Sequence, residues 1–198
     1  MYRLIKAESF KLSKKLKSWL GPLLIMILVL IAFPLSIDIS QYDLDKFYFS
    51  IIVVSLLMTA FVATEGMFEE DFEDGSLEQE FLKEKDFYKL VISKIFVYVC
   101  LIGIPIALIG ALFSFANGVA IGSFGKVFLL LCLSNLLLFN LFAFGNALSI
   151  NKGALLGVLS SLPLALPVII LLGRAIRSIQ YGDGFFEVVT LMVGIGLM

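Results

Sequence analysis

Apolar residues in this chain gather into six blocks, separated by short polar stretches: Leu20–Ile37, Phe47–Thr64, Val91–Phe115, Val127–Leu148, Ala154–Leu172 and Phe185–Met198. A helix rises ~1.5 Å per residue, so about 20 apolar residues cross the ~30 Å of a bilayer's hydrocarbon. Five blocks are near that length and the sixth is short. Spanning segments must satisfy their own backbone groups, so these blocks predict helices. The ~10-residue alternation of a membrane β-barrel is missing. The pattern predicts an all-α polytopic membrane protein, with about six transmembrane helices, filling a single domain over residues 1–198. For the short last span, three explanations stay open: truncation, a helix that ends inside the bilayer, or pairing with a partner.

Ahead of the first block, Ile5, Leu12, Leu16, Trp19 and Leu20 share one helical face, and Lys6, Lys11, Lys14 and Lys17 fall away from it. Such a segment suits the headgroup plane of an anionic bilayer, so residues 1–19 read as an interfacial helix, with a plain basic flank as the alternative. Within the blocks polar groups are few. Asn135, Asn140 and Asn146 read first as interhelical hydrogen-bonding residues. Gly153 and Gly157, four apart, allow close helix approach. Pro105, Pro163 and Pro167 remove backbone bonds and are expected to kink their helices.

Composition agrees with this picture: the chain is 60% hydrophobic and 16% charged, where a soluble domain is roughly half apolar and a quarter charged. Charge placement adds orientation. An N-terminus in the cytoplasm puts eleven of the fifteen Lys and Arg residues inside, leaving Lys46, Lys126, Arg174 and Arg177 outside. A cleaved signal peptide is not expected, because the first apolar block is too long and no A-x-A site follows it. Cys100 and Cys132 lie in predicted spans and read as inert buried thiols. Histidine is absent, which excludes histidine-based metal, haem or acid–base chemistry from this chain. No ionisable residue sits mid-span, as an ion-coupled transporter commonly requires. Nor is there a phosphate-binding loop: Gly125-Lys126-Val127 lacks the earlier glycine, Ala120 standing there, and the Ser or Thr after lysine. An energy source, if one is used, lies outside this chain. No catalytic residue, bound metal or covalent cofactor is expected, ATP would bind only on a partner, and no nucleic-acid partner is expected.

Between the second and third blocks the pattern changes sharply. Phe68–Asp86 holds nine of the sixteen acidic residues. Setting Gly75 as the glycine of a calcium loop places Phe72 and Phe81 where two ligands belong, so calcium binding fails. Solvated carboxylates also lack the burial that shifts pKa values for catalysis. What the stretch encodes is shape. Asp74-Gly75 reads as a turn, with Gly75 ending a short helix that spaces Phe68 and Phe72 one turn apart. Ser76-Leu77-Glu78-Gln79 fits a capping box that starts a second short helix, in which Leu77 and Phe81 repeat that spacing. Residues 65–89 therefore predict two amphipathic helices joined by a fixed elbow, placed in the cytoplasm. One reading is a solvated surface connector. The other is a coupling element for a partner protein, carried by Phe68, Asp71, Phe72, Asp74, Gly75, Ser76, Leu77, Glu78, Gln79 and Phe81, with the carboxylates facing that partner.

The segment DFEDGSLEQ (Asp71–Gln79) closely resembles the signature of the haem exporter B (CcmB) family, permease subunits of an ABC system for cytochrome c maturation. FPLSI (Phe33–Ile37) and KGALLGVLSSLPLALPVII (Lys152–Ile170) match as well. The resemblance implies a six-span permease domain that forms a homodimer. It also implies a cytoplasmic ATPase like CcmA and haem-handling membrane partners like CcmC and CcmD. Haem would be a transported or handed-over ligand, and ATP would drive release of a haem-loaded chaperone. The place is a bacterial inner membrane, or alternatively a mitochondrial one. Gly66 and Glu69 depart from the family, which often carries Arg there, and so does the charged run Lys83–Asp86. Two other functions stand beside this one: a general ABC exporter permease for a lipid or drug, and a non-transporting scaffold.

Overall fold

The computed structural model describes residues 2–36, 44–83, 87–150, 154–181 and 184–197. Among these residues ten α-helices follow in order. They are α1 (Tyr2–Lys14), α2 (Leu16–Ser36), α3 (Leu44–Thr64), α4 (Glu69–Glu73), α5 (Ser76–Lys83), α6 (Phe87–Tyr98), α7 (Ile104–Ala116), α8 (Ile121–Ser149), α9 (Ala154–Tyr181) and α10 (Phe185–Leu197). A single π-helical turn, Val99–Gly103, joins α6 to α7. No strand occurs among the described residues.

Among the described residues four helical segments are long and apolar enough to cross a bilayer: Ser18–Ser36, Tyr88–Ala116, Ile121–Ser149 and Ser160–Ile179. The other two expected spans hold shorter apolar stretches, Tyr48–Thr64 and Phe185–Gly196. α3 itself runs for 21 residues, Leu44–Thr64. The 13 residues of α10 reach only about 20 Å.

The segment expected as one helix over residues 1–19 is divided. A turn at Lys15, bridged by bonds from Lys15 N–H to the Leu12 carbonyl and from Ser18 N–H to the Lys15 carbonyl, separates α1 from α2. Leu16, Trp19 and Leu20 thus belong to the first long helix, α2. Leu12 is buried and Ile5 packs beside it, against α6 and its neighbours.

The core forms where α2, α3, α7, α8 and α9 meet, around Met26, Ile52, Leu56, Ile106, Leu138 and Phe142. Large apolar side chains such as Leu28, Leu112, Phe144 and Ile170 point outward, the lipid-facing arrangement of a membrane bundle. The most extensive helix contact joins α8 to α9. There, a Cβ on Gly145 would meet the Gly157 carbonyl at 2.8 Å, and a Cβ on Gly157 would meet the Gly145 carbonyl at 2.9 Å. The close approach predicted from Gly157 is real, and its partner is Gly145; Gly153 lies outside the described residues.

Two of the three asparagines bond between helices. Asn135 Nδ2 donates to the Gly103 carbonyl at 2.8 Å, and Asn146 Nδ2 donates to the Thr64 carbonyl at 2.6 Å. Asn140 instead donates within α8, to Leu136. The Gly103 contact sits on the π turn, where Ile104 N–H reaches back five residues to the Val99 carbonyl. Pro105 follows directly and has no N–H to offer, so the backbone irregularity falls where the sequence cannot sustain regular bonding. Pro163 and Pro167 leave α9 helical throughout.

Candidate functional site

The acidic stretch folds as two short helices, α4 and α5, as its sequence predicts. Gly75 lies between them at φ +69° and supplies the left-handed turn. The cap is built differently from the predicted box. Asp74 Oδ1 accepts the Ser76 N–H at 2.9 Å, and the Ser76 hydroxyl turns back to donate to the Asp71 carbonyl at 3.3 Å. Gln79 N–H bonds the Gly75 carbonyl. An aspartate two residues before an amide closes this local ring more tightly than serine does, so Asp74 takes the capping role. The Ser76 bonds hold the Asp74 carboxyl below its ordinary pKa.

Beneath the elbow lies a cluster that the linear sequence conceals. Asp71 Oδ1 accepts from Lys11 Nζ of α1, and Asp71 Oδ2 accepts from Lys94 Nζ of α6. Lys94 Nζ also lies 3.4 Å from Glu8 Oε1. The four side chains alternate in sign and sum to zero. Asp71 and Lys94 are buried, with side chains 4% and 3% exposed, whereas Lys11 is 37% exposed. Burial alone would raise the Asp71 pKa. The hydrogen bonds and charges of Lys11 and Lys94 outweigh it and hold the group below the ordinary 3.8. Burial likewise works to lower the Lys11 pKa, and the bond to Asp71 overrides it and raises the group above 10.5.

These contacts correct the outward orientation expected of the whole acidic face. Asp71 is turned into the protein. Phe68 is buried with Met67, Ile95 and Ala143, and Leu77 packs against that group. Lys94 Nζ stands 5.5 Å from the Phe68 ring centroid, a cation–π contact. Phe72 is half-buried, and the side chain of Phe81 lies outside what is described. Glu69, Glu73, Asp74, Glu78 and Gln79 form the exposed face. Lys11, which the periodicity places away from the apolar face with Lys6, Lys14 and Lys17, meets the elbow there.

Glu8, Lys11 and Lys94 are the residues that sequence reasoning missed. A signal existed for Lys94: it interrupts the apolar run of α6, and a buried lysine needs an acid partner. Nothing local identifies Asp71 as that partner. Among the described residues no group of Cys, Asp and Glu is arranged to hold a metal ion.

Long apolar helices around a core, with a docked acidic elbow at one end, define a polytopic helical membrane protein. The chain belongs to the family described as CcmB protein, whose profile matches residues 2–198. It is 30% identical over 181 residues to "Heme exporter protein B" of Pseudomonas aeruginosa, covering 90% of this chain and 81% of that protein. It is 28% identical over 197 residues to the protein of the same name from Haemophilus influenzae, covering 96% and 89%. The Escherichia coli K12 protein of that name is 29% identical over 109 residues, 55% of this chain and 48% of its own length.

Proposed function

We propose that this chain is the permease subunit of an ATP-driven complex that acts in haem delivery for cytochrome c maturation. It sits in a bacterial inner membrane with six spans and its N-terminus in the cytoplasm. Family membership and the names of the relatives support the haem assignment. The bias of basic residues supports the orientation. A separate ATPase acts on the exposed face of α4 and α5, and haem-handling membrane partners complete the complex.

One observation carries the coupling: Asp71 is buried between Lys11 and Lys94. A solvated connector has no need of a buried, charge-balanced anchor. Force applied to the elbow is passed through Asp71 to α1 and to α6. Beyond α6 lies the π turn, which Asn135 ties to α8. Exposed glutamates are left to meet the partner, so recognition and transmission fall to different carboxylates.

The test replaces Glu73 and Glu78 with Lys in the full chain, in its native membrane. Both are exposed and neither belongs to the ion cluster. Abundance should match the parent, while copurification of the ATPase and cytochrome c maturation fall at least tenfold. Unchanged ATPase association and maturation would make the elbow a connector and refute coupling through it.

A further inference from the structure

At the end of the bundle opposite the elbow, a cavity of about 1030 Å³ opens between the start of α3, the α7–α8 turn and the last part of α9. This is at the upper end of small-molecule pockets, roughly 300–1,000 Å³. Its floor is apolar: Phe49, Val53, Ile169 and Ile176. Ser50, Asn117 and Ser123 add hydrogen-bonding groups, and among the described lining residues Arg177 alone is charged. Ile169, Gly173, Ile176 and Arg177 recur at helical spacing along one face of α9. Gly173 keeps that face low, since a Cβ built there meets nothing within 4 Å.

We infer that this cavity is a binding site for an amphiphilic anion, whose apolar body lies on the Phe49–Ile176 floor and whose acid group pairs with Arg177. A guanidinium presents a planar fork of donors suited to carboxylate or phosphate, and it is always charged. An apolar floor beside one fixed cation selects molecules carrying both characters. A small inorganic anion would leave the floor wet, and a neutral lipid would leave Arg177 unused. Two sources supply this chemistry: haem, through its propionates, and an anionic phospholipid of the membrane. The haem source rests on the proposed function; the site itself does not.

The test uses purified full-length chain in nanodiscs, without ATP or any ATPase, so that failure of the coupling reading leaves it intact. Haem binding is followed by its visible absorption in neutral-lipid nanodiscs, and retained phosphatidylglycerol is measured by native mass spectrometry. Arg177→Ala should weaken binding about tenfold or more, the scale of one charge-assisted hydrogen bond, and Arg177→Lys should recover part of it. Gly173→Leu should fill the cavity and abolish binding. Arg174→Ala, three residues away and outside the lining, should stay within twofold of the parent. Loss confined to haem, or confined to phosphatidylglycerol, identifies the source and supports the site. Binding that ignores both Arg177→Ala and Gly173→Leu, or no binding of either ligand, overturns it. Because Arg177 is exposed, its variants test the site even where Gly173→Leu fails to fold.

Discussion

The two ends of the bundle treat their charges in opposite ways. At the elbow, Asp71 and Lys94 are almost fully buried, and their charges are balanced within the same cluster by Lys11 and Glu8. At the far end, Arg174 and Arg177 are exposed, and Arg177 borders open space. Packing differs in the same sense along α9, the helix that runs between the ends. Near its start, a Cβ on Gly157 would strike the backbone of α8; near its finish, a Cβ on Gly173 would meet nothing within 4 Å. Buried charges are costly to desolvate and are kept only with close partners. An end built that way holds α1, α4 and α6 together as one body. An end with an unburied cation and spare volume has room for something else to complete it. On the proposed reading, motion enters at the first end and a molecule fits at the second.

The largest test of that contrast is at Lys94. Lys94→Met leaves the buried Asp71 short of one partner, and removing one member of a buried pair costs about 3–5 kcal/mol. Unfolding of the purified chain in detergent should reveal a loss of that size. Adding Asp71→Leu should restore much of it, because an apolar replacement for a buried pair is often neutral. At the far end, Arg177→Ala should change stability by less than about 0.5 kcal/mol, as exposed substitutions usually do. Equal effects at the two arginine and lysine sites would erase the distinction.

Acid should act on the same cluster. The folded pKa of Asp71 is depressed, so its contribution is present above the unfolded value near 3.8 and is lost as pH falls through the folded value. The Lys11 pKa is raised, so its contribution holds below 10.5 and is lost only as pH climbs through the folded value. Docking of the elbow should therefore hold up to the ordinary 10.5 of lysine, begin to weaken on the acid side only below 3.8, and be lost as pH falls through the still lower folded value. Limited proteolysis near Gly75 reads this directly. Asp71→Asn should remove the acid step, and persistence of the step in that variant would assign it to other groups.

A smaller effect is expected at Gly75. Its φ of +69° lies in the left-handed region, and an added Cβ there meets nothing. Gly75→Val should therefore act through the backbone alone, costing about 1–3 kcal/mol. Gly75→Asn should cost less, since asparagine tolerates that conformation. Ser76→Ala should do little, because Asp74, not Ser76, caps α5. A Ser76→Ala cost equal to that of Asp74→Ala would restore the capping box.

The apolar helices were legible in the sequence because hydropathy is local: each block reports its own burial without reference to the others. The elbow was legible for the same reason, since Asp74, Gly75 and Ser76 fix a turn within three residues. The split of roles at the cap was not, because aspartate and serine both suit that position and only geometry chooses between them. The ion cluster was hidden by distance along the chain. Lys11 and Asp71 are 60 residues apart, and Lys94 follows Asp71 by 23. Local periodicity correctly placed Lys11 opposite the apolar stripe of α1, yet it had no means of showing that a carboxylate waits on that side. The cavity at the far end draws on three separate segments, so no single motif announces it. The π turn had only Pro105 as a sign.

The smallest expected effect lies at the two glycines that mark the contrast along α9. Alanine is favoured over glycine in a helix interior by about 1 kcal/mol. At Gly173 nothing opposes that gain, because a Cβ finds open space. Gly173→Ala should thus stabilise the chain slightly, by up to about 1 kcal/mol, and leave the cavity large enough for its ligand. At Gly157 the same propensity gain is outweighed: the new Cβ would stand 2.9 Å from the Gly145 carbonyl and from Ser149 Oγ. Backbone cannot move aside as a flexible side chain does, and overpacking of this kind costs about 1–3 kcal/mol. The paired substitutions should therefore shift stability in opposite directions on one helix. Destabilisation by both would mean that the far end is as closely packed as the near one, and the space assigned to a ligand beside Arg177 would not exist.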